Sequence, residues 1–172
     1  MPFTRRRALP AILTSAWVGP ALPAHAQSKP SGAGKLAALN LQGLDTGVAW
    51  SPDEGSKTWL YLDFWASWCG PCRLSFPWMN RMHEQWQAQG LRIVAVTVDR
   101  KREDALGFLR THPAKFQVAF DTQGTLARQL EVKTMPTSLL VAPDGRIMHR
   151  HEGFTASLGD KAAQTIKEAL GA

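Results

Sequence analysis

Short apolar runs of strand length alternate with segments of helical period, which predicts an α/β domain: a central β-sheet flanked by helices and preceded by an N-terminal hairpin. The run Trp59–Trp65 (WLYLDFW) is apolar apart from Asp63, so it reads as a strand covered on both faces. After Pro71 the period changes. Leu74, Trp78, Met82 and Trp86 recur every four residues and predict one helical face, with Met79 beside it. Pro143-Asp144-Gly145-Arg146 then reads as a turn joining two strands, because Pro fills the first corner and Gly the position of positive φ.

The remaining elements follow in order. Residues 36–41 and 47–50 flank the polar turn Gly43-Leu44-Asp45-Thr46 and predict the hairpin. The helix that starts at Pro71 ends at Gly90, and residues 91–98 (LRIVAVTV) form a β-branched strand. Residues 102–110 predict a helix carrying Leu106, Phe108 and Leu109, closed by His112-Pro113. Residues 116–120 predict a third core strand, after which Asp121 caps a short helix reaching Leu130. Residues 132–135 lead to Pro136, residues 137–142 (TSLLVA) form a strand, and residues 147–151 return as its hairpin partner. The last helix starts at Gly159 or Asp160 and runs to Leu170, with Ala162, Ile166 and Leu170 on its core side. The order is ββ-βαβα-βα-ββα, without an internal repeat.

The chain has 172 residues, with 20 Lys or Arg against 14 Asp or Glu and a formal charge of +6. Its opening shows the order of a secretory signal over residues 1–26: the cations Arg5 to Arg7, a mostly apolar stretch over 8–22, and the small-x-small pattern Ala24-His25-Ala26. Pro10, Gly19, Pro20 and Pro23 make this stretch a poor membrane span, which needs about 18 continuous apolar residues. Thr4-Arg5-Arg6-Arg7-Ala8-Leu9 resembles a twin-arginine export signal, with Ala where that pattern prefers a bulky apolar residue. A basic tail and an uncleaved anchor are the other readings of this segment. Removal of residues 1–26 leaves 146 residues at +3, enough for one domain over 36–172 behind a Gly/Ser/Pro/Lys-rich flexible leader at 27–35. Without a block of Lys and Arg, nothing supports nucleic-acid binding.

Both cysteines fall in Cys69-Gly70-Pro71-Cys72. Two thiols at this spacing on a helix start close a disulfide with little backbone movement, and the helix amino end stabilises a thiolate. Cys69, the more exposed, is expected to attack a substrate disulfide, and the buried Cys72 to resolve the mixed disulfide. A structural bridge is a second reading, although so short a loop constrains little of the unfolded chain. A metal site is a third, but zinc prefers four ligands and the sequence has no second cysteine pair. His149 and His151 share a strand face and read as surface residues; no metal and no cofactor is expected.

The run Phe64-Trp65-Ala66-Ser67-Trp68-Cys69-Gly70-Pro71-Cys72-Arg73, with Pro77 behind it, resembles the active-site stretch of thioredoxin. Met135-Pro136-Thr137 before a strand, then Pro143-Asp144-Gly145-Arg146, resembles the second half of that fold. With the export signal and the long segment between Asp99 and Leu130, the chain resembles the periplasmic TlpA/ResA/DsbE-type thioredoxins. The resemblance implies a thioredoxin-like fold with a central mixed sheet. It also implies a cis bond before Pro136, packed against the disulfide, with Met135 pairing its backbone to substrate. Asp63 matches the buried acid of cytoplasmic-type thioredoxins, which takes the proton of the inner cysteine, and burial is expected to raise its pKa; a solvent-facing residue at a strand end is its other reading. The glutamate that ResA-like proteins carry three residues after the second cysteine is replaced by Ser75. Trp65 and Trp68 are expected to shield the dithiol and offer an apolar platform beside Gly70 and Pro71, whereas Trp78 and Trp86 read as core residues. Arg73 either adds positive potential near the thiolates or is simply solvated.

The function implied is an exported, periplasmic thiol:disulfide oxidoreductase that mainly reduces protein disulfides, in cytochrome c maturation or copper-site assembly. A reductase in an oxidising compartment needs a membrane electron donor resembling DsbD or CcdA, which brings the chain close to a membrane. The alternatives are a dithiol oxidase or isomerase, and a non-catalytic binding module or metal chaperone on the same fold.

Overall fold

The computed structural model describes residues 34–44 and 46–172, together with Met1. The expected signal, nearly all of the leader and Asp45 of the hairpin turn lie outside the described residues. The elements are β1 (Leu39–Gly43), β2 (Val48–Trp50), β3 (Trp59–Trp65), α1 (Cys72–Trp86), a 3-10 turn (Gln87–Gln89), β4 (Leu91–Thr97), α2 (Arg102–Thr111), β5 (Gln117–Phe120), α3 (Thr125–Gln129), β6 (Thr137–Val141), β7 (Ile147–Glu152) and α4 (Ala156–Leu170). The strands make one mixed sheet in the order β2-β1-β5-β4-β3-β6-β7. β3, β4 and β5 run parallel, and the pairs β1/β2, β1/β5, β3/β6 and β6/β7 are antiparallel. The α/β architecture with an N-terminal hairpin is the one expected.

β3 lies between β4 and β6, and six of its seven residues are buried, as a continuous apolar run requires. Its alternation divides the core. Leu60, Leu62 and Phe64 enter one layer with Leu39, Val94, Val96, Leu139 and Leu126 of α3. Tyr61 and Trp65 enter the other with Cys72, Phe76 and Met79 of α1, Phe108 of α2, and Ala162 and Ile166 of α4. In that second layer Phe76 meets Trp65, Phe108 and Phe116 with ring centroids 4.9, 4.9 and 5.5 Å apart.

Of the core face expected for α1, Trp78, Met79, Met82 and Trp86 are buried and Leu74 is not. Leu74 is 62% exposed, and the buried face runs through Cys72, Ser75, Phe76, Met79, Met82 and Trp86, with Trp78 at its side. Steps of four residues overshoot a helical turn by about 40° each, so Leu74 and Trp86 end about 120° apart. Trp78 and Trp86 are core residues as expected. α4 also begins earlier than expected, at Ala156, three residues ahead of Gly159: the Thr155 hydroxyl accepts the Leu158 N–H (3.2 Å) and caps the helix. Gly159 sits inside the helix, where a Cβ would stand 3.0 Å from the Phe154 ring and 3.2 Å from Nε1 of Trp78. Asp121 does serve α3, taking the N–H groups of Thr125 (2.8 Å) and Ala127 (2.9 Å).

The end of the leader is held, where flexibility was expected. Gly34 O accepts the Ile147 N–H (3.0 Å), Lys35 bridges Arg146, and the Leu36 N–H donates to Gly145 O (2.8 Å). Residues 36–38 precede β1 instead of belonging to it.

Phe76→Ala is expected to cost about 3–5 kcal/mol, because it empties the junction of three aromatic rings. Urea unfolding measures this, and a loss under about 1 kcal/mol would contradict the packing described.

Candidate active site

The loop 66–71 leaves the carboxyl end of β3 and turns into α1. Within it the Cys69 N–H bonds Ala66 O (3.0 Å). Pro71 takes the position just before the helix, one residue earlier than expected, where its missing N–H has no partner to lose. Cys69 and Cys72 form a disulfide with Cα atoms 5.4 Å apart. The backbone N–H of Cys72, first of α1, donates to Sγ of Cys69 (3.2 Å). In the reduced pair this N–H and the helix amino end favour a thiolate at Cys69. Exposure ranks as expected, but narrowly: Cys69 is 3% exposed and Cys72 fully buried, so the oxidised pair shows solvent only an edge. Gly70 and Pro71 are exposed, and a Cβ on Gly70 would meet nothing within 4 Å. Ser75 is buried with its hydroxyl on Cys72 O (3.2 Å).

A clamp on this loop was not foreseen. Asp99, buried just beyond β4, accepts the Ser67 N–H and the Thr97 hydroxyl on Oδ2 and the Ser67 hydroxyl on Oδ1, each at 2.9 Å. It thereby ties the residue before Trp68 to the end of the neighbouring strand. The available signal was a pair of polar residues, Ser67 and Asp99, each just past the end of a predicted strand.

Asp63 points with Tyr61 and Trp65 into the layer that holds α1 and both cysteines. It is 1% exposed, its Oδ1 accepts the Ser138 hydroxyl (2.6 Å), and its Oδ2 has no partner among the described residues. Burial pushes its carboxyl up from 3.8 to about 7, against the opposing pull of the Ser138 hydrogen bond. Such a group exchanges protons near neutral pH.

Register brings the fourth component to the same end of the sheet: Thr137, first of β6, pairs with Phe64 near the end of β3. The Met135–Pro136 bond is cis, and the buried Pro136 passes its carbonyl to the Gly153 N–H (2.7 Å). Met135 is half-buried against the layer containing both cysteines, and among the described residues its N–H and C=O take no hydrogen bond. Trp68 is 70% exposed, and with exposed Leu74 it offers apolar surface next to the pair. Trp65 is a correction: it is fully buried among Phe76 and Phe108 and packs the core, so it presents no platform. Arg73 is exposed. His149 and His151 lie on β7 with rings stacked 6.4 Å apart, and among the described residues no cluster of His, Cys, Asp or Glu is placed to hold a metal. A cavity of about 570 Å³, lined in part by Leu44, His83, Arg92 and Phe116, opens at the other end of the sheet and includes none of these site residues.

The strand order, the helix-start disulfide and the cis Met135–Pro136 bond at the same end of the sheet define a thioredoxin-like protein with a dithiol site. Residues 35–150 match the AhpC/TSA family, and the chain belongs to that family. It is related to the thiol-disulfide oxidoreductases of the ResA/DsbE type. A structure described as a putative thiol:disulfide interchange protein DsbE from Chlorobium tepidum is 42% identical, covers 83% of this chain and 99% of its own, and superposes with a TM-score of 0.74. The thiol-disulfide oxidoreductase ResA of Bacillus subtilis is 32% identical over 89 residues, 52% of this chain and 50% of the relative. The chain thus spans about half the length of the curated relatives it matches. StoA from Bacillus subtilis, at 23% identity, 77% and 96% coverage and a TM-score of 0.62, shares the fold.

Asp63 gives stability a pH dependence of definite sign. Its carboxyl is neutral in both states below about pH 4; between there and about pH 7 only the folded chain keeps the proton, so this contribution is lost as pH rises to about 7. Asp63→Asn is therefore expected to gain stability over the parent between pH 5 and 8, and urea midpoints that keep a constant difference would contradict it. Asp99→Ala is expected to cost about 1–3 kcal/mol and to slow thiol exchange by loosening the 66–71 loop; thermal unfolding and exchange rates on the same variant check both.

Proposed function

We propose that this protein is an exported thiol:disulfide oxidoreductase that mainly reduces protein disulfides through Cys69 and Cys72. The Cys72 N–H on Cys69 Sγ carries this reading, since it prepares Cys69 as the thiolate that attacks. That thiolate displaces one sulfur of the client disulfide, which leaves as a thiolate and takes a proton. Cys72 then gives its proton to the Asp63 carboxylate and attacks Sγ of Cys69. The client's second sulfur departs, two electrons have passed to the client, and the Cys69–Cys72 disulfide remains. The unpaired N–H and C=O of Met135 are suited to pair with an extended client segment, and Pro136 offers no N–H to compete with the cysteines. Trp68 and Leu74 supply apolar contact on the flank, and Gly70 leaves room for the client.

Among the described residues no helix is long and apolar enough to cross a membrane. The export reading rests on residues 1–26 and on the similarity to ResA and DsbE, and it places the chain in the periplasm. There the oxidised pair must be reduced again, which calls for a membrane electron donor resembling DsbD or CcdA. Proteins of cytochrome c maturation, or copper-site proteins, are the clients that the family resemblance favours.

Two measurements test this. Cys72→Ala is expected to accumulate mixed disulfides through Cys69 with exported proteins, whereas the Cys69→Ala, Cys72→Ala double variant accumulates none; no adduct on the single variant would contradict the mechanism. The Gly70-Pro71 pair predicts a reduction potential near thioredoxin's, about −270 mV, and a value near −120 mV would make the chain an oxidant instead.

A further inference from the structure

One transverse row of the sheet passes through the buried acid. Register aligns Val118 of β5, Ala95 of β4, Asp63 of β3, Ser138 of β6 and His151 of β7, and residues opposite one another share a sheet face. Toward β5 the row is aliphatic and carries no proton. Toward β7 it offers a hydroxyl and then an imidazole, and exposure rises in the same direction: Asp63 1%, Ser138 4%, His151 half-buried at the sheet edge.

The Ser138 hydroxyl donates to Asp63 Oδ1 and still has lone pairs free, and it turns about its C–O bond. Opposite residues hold their Cβ atoms about 5 Å apart, within reach of an imidazole or one bridging water; Ser138 and His151 share no hydrogen bond in the resting arrangement, so a side-chain rotation has to close the gap. Among the described residues, the ionisable groups of the strands on this face are Tyr61 and Asp63 of β3 and His149 and His151 of β7; over it α1 places Cys72, Phe76, Trp78 and Met79 beside Cys69 of the preceding loop, and α4 places Ala162 and Ile166. Partial burial and the neighbouring His149 both lower the pKa of His151 and so favour its neutral form, which passes on quickly any proton it takes.

We propose that Ser138 and His151 form the proton exit of the buried acid. Once Asp63 holds the proton of the Cys72 thiol, its carboxylic acid donates to Ser138 Oγ. The hydroxyl proton passes to His151, and the imidazolium releases it to solvent. One proton enters, one leaves, no bond between heavy atoms changes, and the carboxylate is restored for the next turnover. This route rests on the oxidoreductase reading above.

The test is the disulfide-exchange rate of the full chain between pH 6 and 8 in dilute non-imidazole buffer, for the parent, His151→Gln, Ser138→Ala and Asp63→Asn. His151→Gln and Ser138→Ala are expected to slow exchange about tenfold at pH 7, less than a complete loss of acid–base catalysis because Asp63 remains. Added imidazole is expected to restore His151→Gln and not Asp63→Asn, while the reduction potential of the His151→Gln pair matches the parent's. A His151→Gln rate equal to the parent's across the pH range, or a slow His151→Gln that imidazole does not restore, would overturn the route. A parent with no exchange activity would overturn the oxidoreductase reading and this one together.

Discussion

β3 is hydrogen-bonded along both edges and covered on both faces, and that confinement fixes where its last residues lie. Because it cannot slip without exposing a full set of side chains, the alternation of Tyr61, Asp63 and Trp65 toward α1 is set once for the whole site. The loop that leaves its end inherits this position. So does the start of β6, whose register against β3 brings Met135 and Pro136 level with the cysteine loop. The components of the dithiol site come from distant parts of the sequence, yet one strand serves as their common datum.

Two buried carboxylates near that end differ in what surrounds them. Asp99 accepts three donors, two of them from Ser67, and acts as a fastener for the loop. Asp63 accepts one, leaves an oxygen unpaired, and is pushed toward neutrality by its own burial. Full hydrogen bonding offsets the cost of a buried charge, whereas scarce hydrogen bonding makes the charge conditional on pH. The same residue type therefore fastens structure at one position and changes charge near neutral pH at the other.

The parts of the site legible in the sequence were those whose signal is local. The WLYLDFW run, the cysteine spacing, Asp63 as the one polar interruption, and Met135-Pro136 ahead of a strand each lie within a few residues. What escaped depends on contacts across the chain. The hydrogen bonds between Ser67 and Asp99 join residues 32 apart, and Trp65 turns inward because Phe76 and Phe108 receive it. Leu74 misled because a four-residue spacing mimics a helical face over two turns and departs from it over four. Gly159 read as a boundary, when its missing side chain makes room for Trp78.

The bonds from Gly34 and Leu36 to Ile147 and Gly145 gather the beginning of the folded chain at the starts of β3 and β7. The sulfurs lie at the opposite pole, where β3 finishes. A tether joined directly at Gly34 would therefore grip the molecule by its base and leave the reactive tip facing away from the support.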